Sequence, residues 1–490
     1  MKLLARFEKR QETWFLLIAS FVFFILRLPS FFEPYWYGDE GIYEVIGFAL
    51  RHGRLLYRDI WDNKPPLLYI IYSFFNGDQF GTRVFSFIVG LLSLFVFFVL
   101  AKKLFSKQRM VFVATSIYGA LLALPLLEGN IANAENFMVL PTLTAALLLF
   151  TLVTNKQATT MRKAYRILLL SGLLLGLSFL IKIVAVFDFG AFFLFLAIVL
   201  YEEKTKLFVI LKQLTVFSIG FGLPVVVTAL FFFINGSFGA FLQSTLSSNV
   251  GYVNYNNTFL IPQGLLIFKL VLLFTFVVFL FLKRKTLQKA TLFICLWLAF
   301  AIFDVFFSQR PYTHYLLVAI TSLSLFATLA FYHEKFKAIF LSAFVVVLLL
   351  FVLNFPLNKK TFGYYGNFAA FVLQQKSMTD YFSFFDSVTP RDYEIADYLK
   401  SHLLPNQHIF VWGNSGQIYR LTNTLPPGRF IVAYHMLWTD KTVAETTAVL
   451  NQTKPQFVVI LPDQSPIPYR MSDYRLRFSI ENASIYERVF

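Results

Sequence analysis

The stretch YGDEGIYEVIGFALRHGRLLYRDIWDNKPPLLY, Tyr37 to Tyr69, follows an almost wholly apolar run from Trp14 to Phe32. It sets two adjacent carboxylates, three arginines, a lysine and a Pro-Pro pair just outside what reads as a first membrane crossing. Charges at a membrane are costly if even partly buried, so their concentration here asks for a cause. Gly38 and Asp39 can start a helix that runs through EGIYEVIGFALRH and stops at Gly53, a residue suited to the position after a helix end. Ile42, Val45, Ile46 and Ala49 recur at helical spacing, which predicts a helix lying along the outer interface with one apolar face on the membrane. Pro65 and Pro66 hold the chain extended after Lys64 before LLYIIYSFF resumes an apolar helical pattern.

Composition agrees with a membrane setting. Hydrophobic residues make up 57% of the 490 positions, 63 of them Phe, and charged residues only 14%, which excludes an ordinary soluble protein and predicts a polytopic α-helical one. Segments able to cross a bilayer as helices of about 17–25 residues lie near 14–32, 82–101, 110–127, 136–153, 166–181, 184–200, 207–234, 264–282, 289–307, 313–331 and 337–356, about eleven in all. The first is read as an uncleaved span, because it is long and no small-residue cleavage site follows. Lys182 divides 166–200 into two short spans. The single cysteine, Cys295, lies in an apolar run and excludes a disulfide framework.

Basic loops at 101–109, 155–166, 201–206, 283–289 and 332–337 fall on one side if the spans alternate, which predicts a cytoplasmic N-terminus in the cell membrane. The opening stretch, 128–136, 235–263, 308–315 and everything after about 357 then lie outside. The net charge of +16 is thereby a topological signature and not a nucleic-acid footprint. From Arg391 onward helix-like RDYEIADYLKSHL, strand-like HIFVWG, helix-like KTVAETTAVLNQ and strand-like QFVVILP alternate between turn signals. The chain thus divides into a membrane domain at 1–356 with an external loop at 33–81, a linker at 357–390 and a small extracytoplasmic α/β domain at 391–490. GNSG at 413–416 lacks the ending of a phosphate loop and reads as a turn.

Asp39 can cap the helix it starts, and Glu40 can stabilise the same helix end, but neither use accounts for the lysine and arginines that follow. Lys64, stiffened by the prolines, can bind a phosphate or snorkel at the interface. No His, Asp or Glu spacing matches a metal site.

GDEGIYEVIGFALRHGRLLYRDIWDNKPPLLYIIYSFF resembles the first external loop of the GT-C class of membrane glycosyltransferases. Within it the resemblance is to the branch of protein O-mannosyltransferases and lipid A aminoarabinose transferases, glycosyltransferase family 39-like. RVFSFIVGLLSLFVFFVLAKKLF (83–105), NAENFMVLPTL (133–143), GLLLGLSFLIK (172–182) and HYLLVAI (314–320) follow in the family's order, so that the resemblance spans roughly 14–330.

It implies a GT-C fold and a transferase that moves a sugar from a polyprenyl-phosphate carrier to an acceptor hydroxyl, on a protein, lipid or envelope glycan, outside the membrane. By the same resemblance Asp39 is the general base and Glu40 positions substrate or shares the charge. The donor phosphate falls to Lys64 and Arg58, with Arg310, His314, Tyr315 and Lys182, and the acceptor to Glu135 and Asn136. No cofactor is required, although members of the wider class that bind a divalent cation leave room for one.

Two other functions share the many spans. A lipid-linked sugar flippase would place charges near the membrane midplane, whereas here all but Asp188 and Asp304 collect at span ends. A non-catalytic envelope assembly protein would have no use for the acidic pair with Lys-Pro-Pro.

Overall fold

The computed structural model describes residues 2–155, 160–249, 264–307, 312–333, 337–357, 360–462 and 464–489. Among the described residues nine helices are long and apolar enough to cross a membrane, from Arg10–Phe31 to Lys337–Asn354. The two other expected spans form helices as well, Gln108–Ala123 and Lys289–Val305, of 16 and 17 residues. The expected break at Lys182 separates Met161–Ile181 from Ala185–Glu202, each a candidate span. The chain is a polytopic α-helical protein with one small sheet region near its C-terminus.

Its contacts divide it into two compact units, one of Met1–Leu28, Phe85–Phe233 and Ser247–Thr361, the other of Pro29–Val84, Ile234–Leu246 and Phe362–Phe490. The partition expected from the sequence runs linearly along the chain; the compact units do not, because the loop after the first span packs with the C-terminal residues.

In the first unit burial separates central from peripheral spans. Ala134–Thr154 and Thr313–Tyr332 are 61% and 78% buried over their most apolar windows, against 17%, 6% and 11% for Leu207–Ile234, Leu265–Lys283 and Lys337–Asn354. The last three turn apolar side chains outward, surface that lipid must cover. Met161–Ile181 and Leu207–Ile234 meet backbone to backbone: a Cβ on Gly172 would stand 2.1 Å from the Phe217 carbonyl oxygen, and one on Gly220 2.3 Å from that of Leu169. Small residues of this kind let membrane helices approach closely.

The second unit is built on a four-stranded sheet of β1 (Ile409–Trp412), β2 (Phe457–Ile460), β3 (Tyr474–Ile480) and β4 (Ala483–Arg488), in the order β1-β2-β4-β3. β1 and β2 run parallel, joined across the helix Asp440–Thr453, as a parallel pair requires. β4 lies antiparallel to both β2 and β3. The helices and the two strands read from the sequence are present, but the β3–β4 hairpin was not among its signals. Its two-residue turn is Glu481-Asn482, both with positive φ (43° and 65°), so the type I′ geometry is filled without the glycine that usually marks it. Trp61 of the loop packs into the same core as Phe410, Trp412, Phe430 and Val458.

The helix Gly38–Arg51 departs from the expected interfacial one. Ile42, Val45, Ile46 and Ala49 are all buried, packed in this unit against Pro66–Phe74 and Gln417–Leu421. Its apolar face meets protein, which an amphipathic pattern cannot tell from lipid. Gly53 does follow the helix end in the left-handed region, φ +82°.

The Gly172 contact is testable. Gly172→Leu should cost about 1–3 kcal/mol by overpacking and lower the thermal midpoint of the detergent-solubilised protein; an unchanged midpoint would mean the two helices are free to move apart.

Candidate active site

Asp39 and Glu40 are neighbours in the first turn of Gly38–Arg51, yet they point to different surroundings. Tyr37, not Asp39, holds the capping position, and it makes no side-chain capping bond. The Asp39 carboxylate instead accepts from the Tyr43 hydroxyl one helical turn on (3.0 Å) and from Lys64 Nζ (3.3 Å). The ammonium also sits 4.8 Å above the Tyr43 ring and 4.0 Å from the Asp62 carboxylate. The side chains of Asp39 and Lys64 are 34% and 23% exposed, whereas Asp62 is 4%, so a ligand can reach the first two and not the third.

The chain delivers Lys64 here by simple means. Pro65, with φ −64° and ψ 157°, stands before the helix Pro66–Phe74 and fixes the direction in which the loop leaves it. The Lys64 carbonyl accepts from the Tyr57 hydroxyl (2.7 Å) and its amide donates to the Tyr69 hydroxyl (3.2 Å). The loop is laced to the C-terminal residues as well. Arg54 donates to the carbonyls of Gly428 (3.1 Å) and Pro426 (2.8 Å), and the Trp61 amide donates to that of Arg429 (2.8 Å).

Glu40 is 2% exposed and bound by Arg83 through two parallel contacts, Nε to Oε1 at 2.9 Å and Nη2 to Oε2 at 2.5 Å. Arg83 further holds Glu33 (3.1 Å) and the Ser30 carbonyl (2.7 Å). Glu40 therefore faces a buried ion cluster and not the Asp39–Lys64 pair. Arg58 is spread over its neighbour Asp59 at 2.7 and 2.8 Å on an exposed surface, and the structure does not bring it to Lys64.

A second polar cluster belongs to the other unit. Lys182 is bonded to Glu135 and stands 4.4 Å from the centre of the Tyr315 ring. His314 lies edge-on to Tyr315 (4.9 Å) and donates from Nδ1 to Glu128 (3.0 Å). The lysine expected at the phosphate and the glutamate expected at the acceptor thus engage each other. The Asn136 amide is turned to the Ile131 carbonyl and secures the loop there. Arg310 and the loop 251–259 lie outside the described residues. Nothing in the sequence assigns a role to Glu128, Asp62 or His435. Among the described residues no group of three or more His, Cys, Asp or Glu is arranged to hold a metal ion.

Across 97% of both chains the structure superposes on ArnT from Cupriavidus metallidurans bound to undecaprenyl phosphate, with a TM-score of 0.56 at 14% identity. A looser likeness, TM-score 0.47 at 12% identity over 93% of this chain and 70% of the other, is to the archaeal oligosaccharyltransferase AglB from Archaeoglobus fulgidus in complex with an inhibitory peptide and a dolichol-phosphate. No curated protein matches the sequence. The fold is that of the GT-C class of membrane glycosyltransferases. Residues 56–238, which include Lys64, match the family model of dolichyl-phosphate-mannose-protein mannosyltransferases.

One group beside the site is built to respond to pH. Glu44, one turn beyond Glu40, is 1% exposed, and neither carboxylate oxygen has a hydrogen-bond partner among the described residues. Burial, then the charge of Glu40, push its carboxyl well above the ordinary carboxylate value, against the pull of Arg83 and Arg420. The folded state therefore holds a proton there that the unfolded chain releases above about pH 4.3. The group's contribution is full below that value and is lost as pH rises toward its raised folded value. Glu44→Gln should therefore stabilise the protein by a margin that grows between pH 5 and pH 8, read as the difference in thermal midpoint; a margin that stays flat over that range would mean that Glu44 is ionised in the fold.

Proposed function

We propose that this chain is an integral membrane glycosyltransferase that moves a sugar from a polyprenyl-phosphate carrier to an acceptor hydroxyl. The observation that carries the reading is the Asp39–Lys64 pair. It brings an accessible carboxylate and an accessible ammonium to 3.3 Å from positions 25 residues apart. The family match and the likeness to a structure holding undecaprenyl phosphate support it.

The chemistry needs both groups. The acceptor oxygen bonds to the anomeric carbon while the bond from that carbon to the carrier phosphate oxygen breaks, and the phosphate leaves with the electron pair. The hydroxyl proton passes to the Asp39 carboxylate, a positioned general base worth about 10²–10⁴-fold. Lys64 meets the charge that builds on the departing phosphate. The Tyr43 hydroxyl, bonded to Asp39, fixes the carboxylate for this task. Glu40 serves the base from behind, by tying the start of its helix to Arg83. Lys182, Tyr315 and His314 are proposed as a second phosphate-binding group, with Glu135 setting the lysine's place.

Asp39→Asn should cut transfer from a radiolabelled polyprenyl-phosphate sugar by about 10²–10⁴-fold while leaving carrier affinity as it was; near-normal turnover would remove the base from the mechanism. Lys64→Ala should weaken carrier binding by about 1.5–3 kcal/mol, the value of a charge-assisted contact, and equal affinity in calorimetry would mean the lysine serves Asp39 alone.

We also propose that the loop and the C-terminal residues lie outside the cell membrane, a reading that the basic loops support. A cysteine at Thr379 should react with an impermeant thiol reagent in intact cells and one at Ser106 only after lysis, with the native Cys295 silent because it is buried; labelling of Ser106 from outside would reverse the orientation.

A further inference from the structure

Asp62 joins two segments from opposite ends of the chain. Its buried carboxylate accepts from the Tyr69 hydroxyl (2.8 Å) and from the Asn63 amide (2.7 Å), and Lys64 Nζ stands 4.0 Å away. His435, from the short helix Ala433–Met436, approaches it too, with Nε2 3.7 Å from Asp62 Oδ1. The imidazole is 3% exposed and packs edge-on against Trp61, 4.9 Å between ring centres. Its Nδ1 is buried and without a hydrogen-bond partner among the described residues.

A bare buried nitrogen lowers stability, and in a native structure it needs an explanation. A phenyl ring would fill the same space beside Trp61 without that cost. The imidazole offers what phenyl does not, a neutral N–H aimed at a carboxylate. The tautomer with its proton on Nε2 presents that N–H to Asp62 and leaves the Nδ1 lone pair as the unpartnered atom. The charged groups that face the ring are Asp62, Lys64 and Asp39. Burial lowers its pKa to about 4 against the pull of Asp62, with Lys64 adding to the lowering, so the ring is neutral at pH 7.

We propose that His435 is a positioning residue of the transfer reaction: through the Asp62 carboxylate it sets where the Lys64 ammonium stands and how readily that ammonium turns to a phosphate. The proposal rests on the reading of Lys64 as a ligand of the carrier phosphate. In the ligand-free protein Lys64 is shared between Asp39 and Asp62. When it turns to a phosphate, Asp62 loses a cation while remaining buried, which is costly unless another group compensates. The 3.7 Å gap to His435 is just beyond hydrogen-bond range, and closing it by less than an ångström gives Asp62 a third donor. The C-terminal α/β residues thereby bear on the reactive loop through one side chain.

Two substitutions separate positioning from packing. His435→Gln places an amide N–H near the position of Nε2 but gives up the ring, and His435→Phe keeps the ring but removes the N–H. Both are made in the full-length protein in detergent and read in two ways. The first is the affinity for undecaprenyl phosphate; the second is the NMR signal of Lys64 after reductive ¹³C-methylation, identified by its loss in Lys64→Arg.

His435→Phe should weaken lipid-phosphate binding about 10-fold, taken by analogy from the lower end of what losing an outer-shell partner costs a metal ligand, and should move the Lys64 signal. His435→Gln should keep both near the parent. Tolerated Phe with damaging Gln, or equal loss in both, would overturn the proposal in favour of core packing.

A further check is independent of how well either variant folds. Once Asp62→Asn has removed the charge that the imidazole answers, adding His435→Phe should cost nothing more, and an additive loss overturns the proposal. A parent protein that fails to bind undecaprenyl phosphate, but whose Lys64 signal moves in Phe and not in Gln, would sink the carrier-phosphate reading and leave the positioning intact.

Discussion

Arg83 is the group on which the arrangement depends. It is fully buried and charged, and it gathers Glu33, Glu40 and the Ser30 carbonyl around one guanidinium. Glu33 in turn accepts from Tyr364 and Trp36. A buried cation of this kind cannot be loosened in part. Its one positive charge faces two carboxylates, with the Tyr364 hydroxyl and the Trp36 N–H adding donors to Glu33, so that losing the guanidinium would leave two buried carboxylates without their cation in a medium that does not tolerate it. The end of the first span, the start of the helix Gly38–Arg51 and the start of the second span are therefore fixed by electrostatics before any apolar contact is counted.

That fixture explains why two adjacent carboxylates do different work. Successive helical residues differ by about 100° in direction, while residues four apart share a face. Asp39 and Tyr43 lie on the side of Lys64, and Glu40 and Glu44 on the side of Arg83 and Arg420. The same helix can then present one half-exposed carboxylate to a ligand while its neighbour is sealed in an ion pair. Positional precision of this sort is what the general-base role proposed for Asp39 would require, since rate falls steeply when the reacting groups are displaced.

Much of this was legible in the sequence and some was not, for physical reasons. Asp39 and Lys64 could be singled out because charges beside a membrane span demand a use and Pro65-Pro66 limits where the lysine can go, but their contact across 25 residues could not. The partner of Glu40 could not, because Arg83 sits at the edge of an apolar run where an arginine normally reads as a span boundary. The burial of Gly38–Arg51 escaped notice because an apolar stripe looks the same whether protein or lipid covers it. His435 carries no signal in the sequence and Asp62 only that of a polar cluster outside the first span, since their contact depends on a tertiary approach between the two ends of the chain. The β3–β4 hairpin was hidden by a turn that tolerates Glu and Asn where glycine is customary.

The lacing of the loop by Arg54, which reaches across 374 residues to the Gly428 carbonyl, has a consequence for how the protein is made. Ribosomes add about 5–20 residues each second, so roughly 20–75 s pass between the emergence of the loop and that of its support. The sheet closes later still, because β4 fits between β2 and β3 and ends at Arg488. During that interval the spans can insert while the acidic pair and its lysine wait without their scaffold. A message truncated by a few tens of codons would yield a protein that enters the bilayer normally and has no working site.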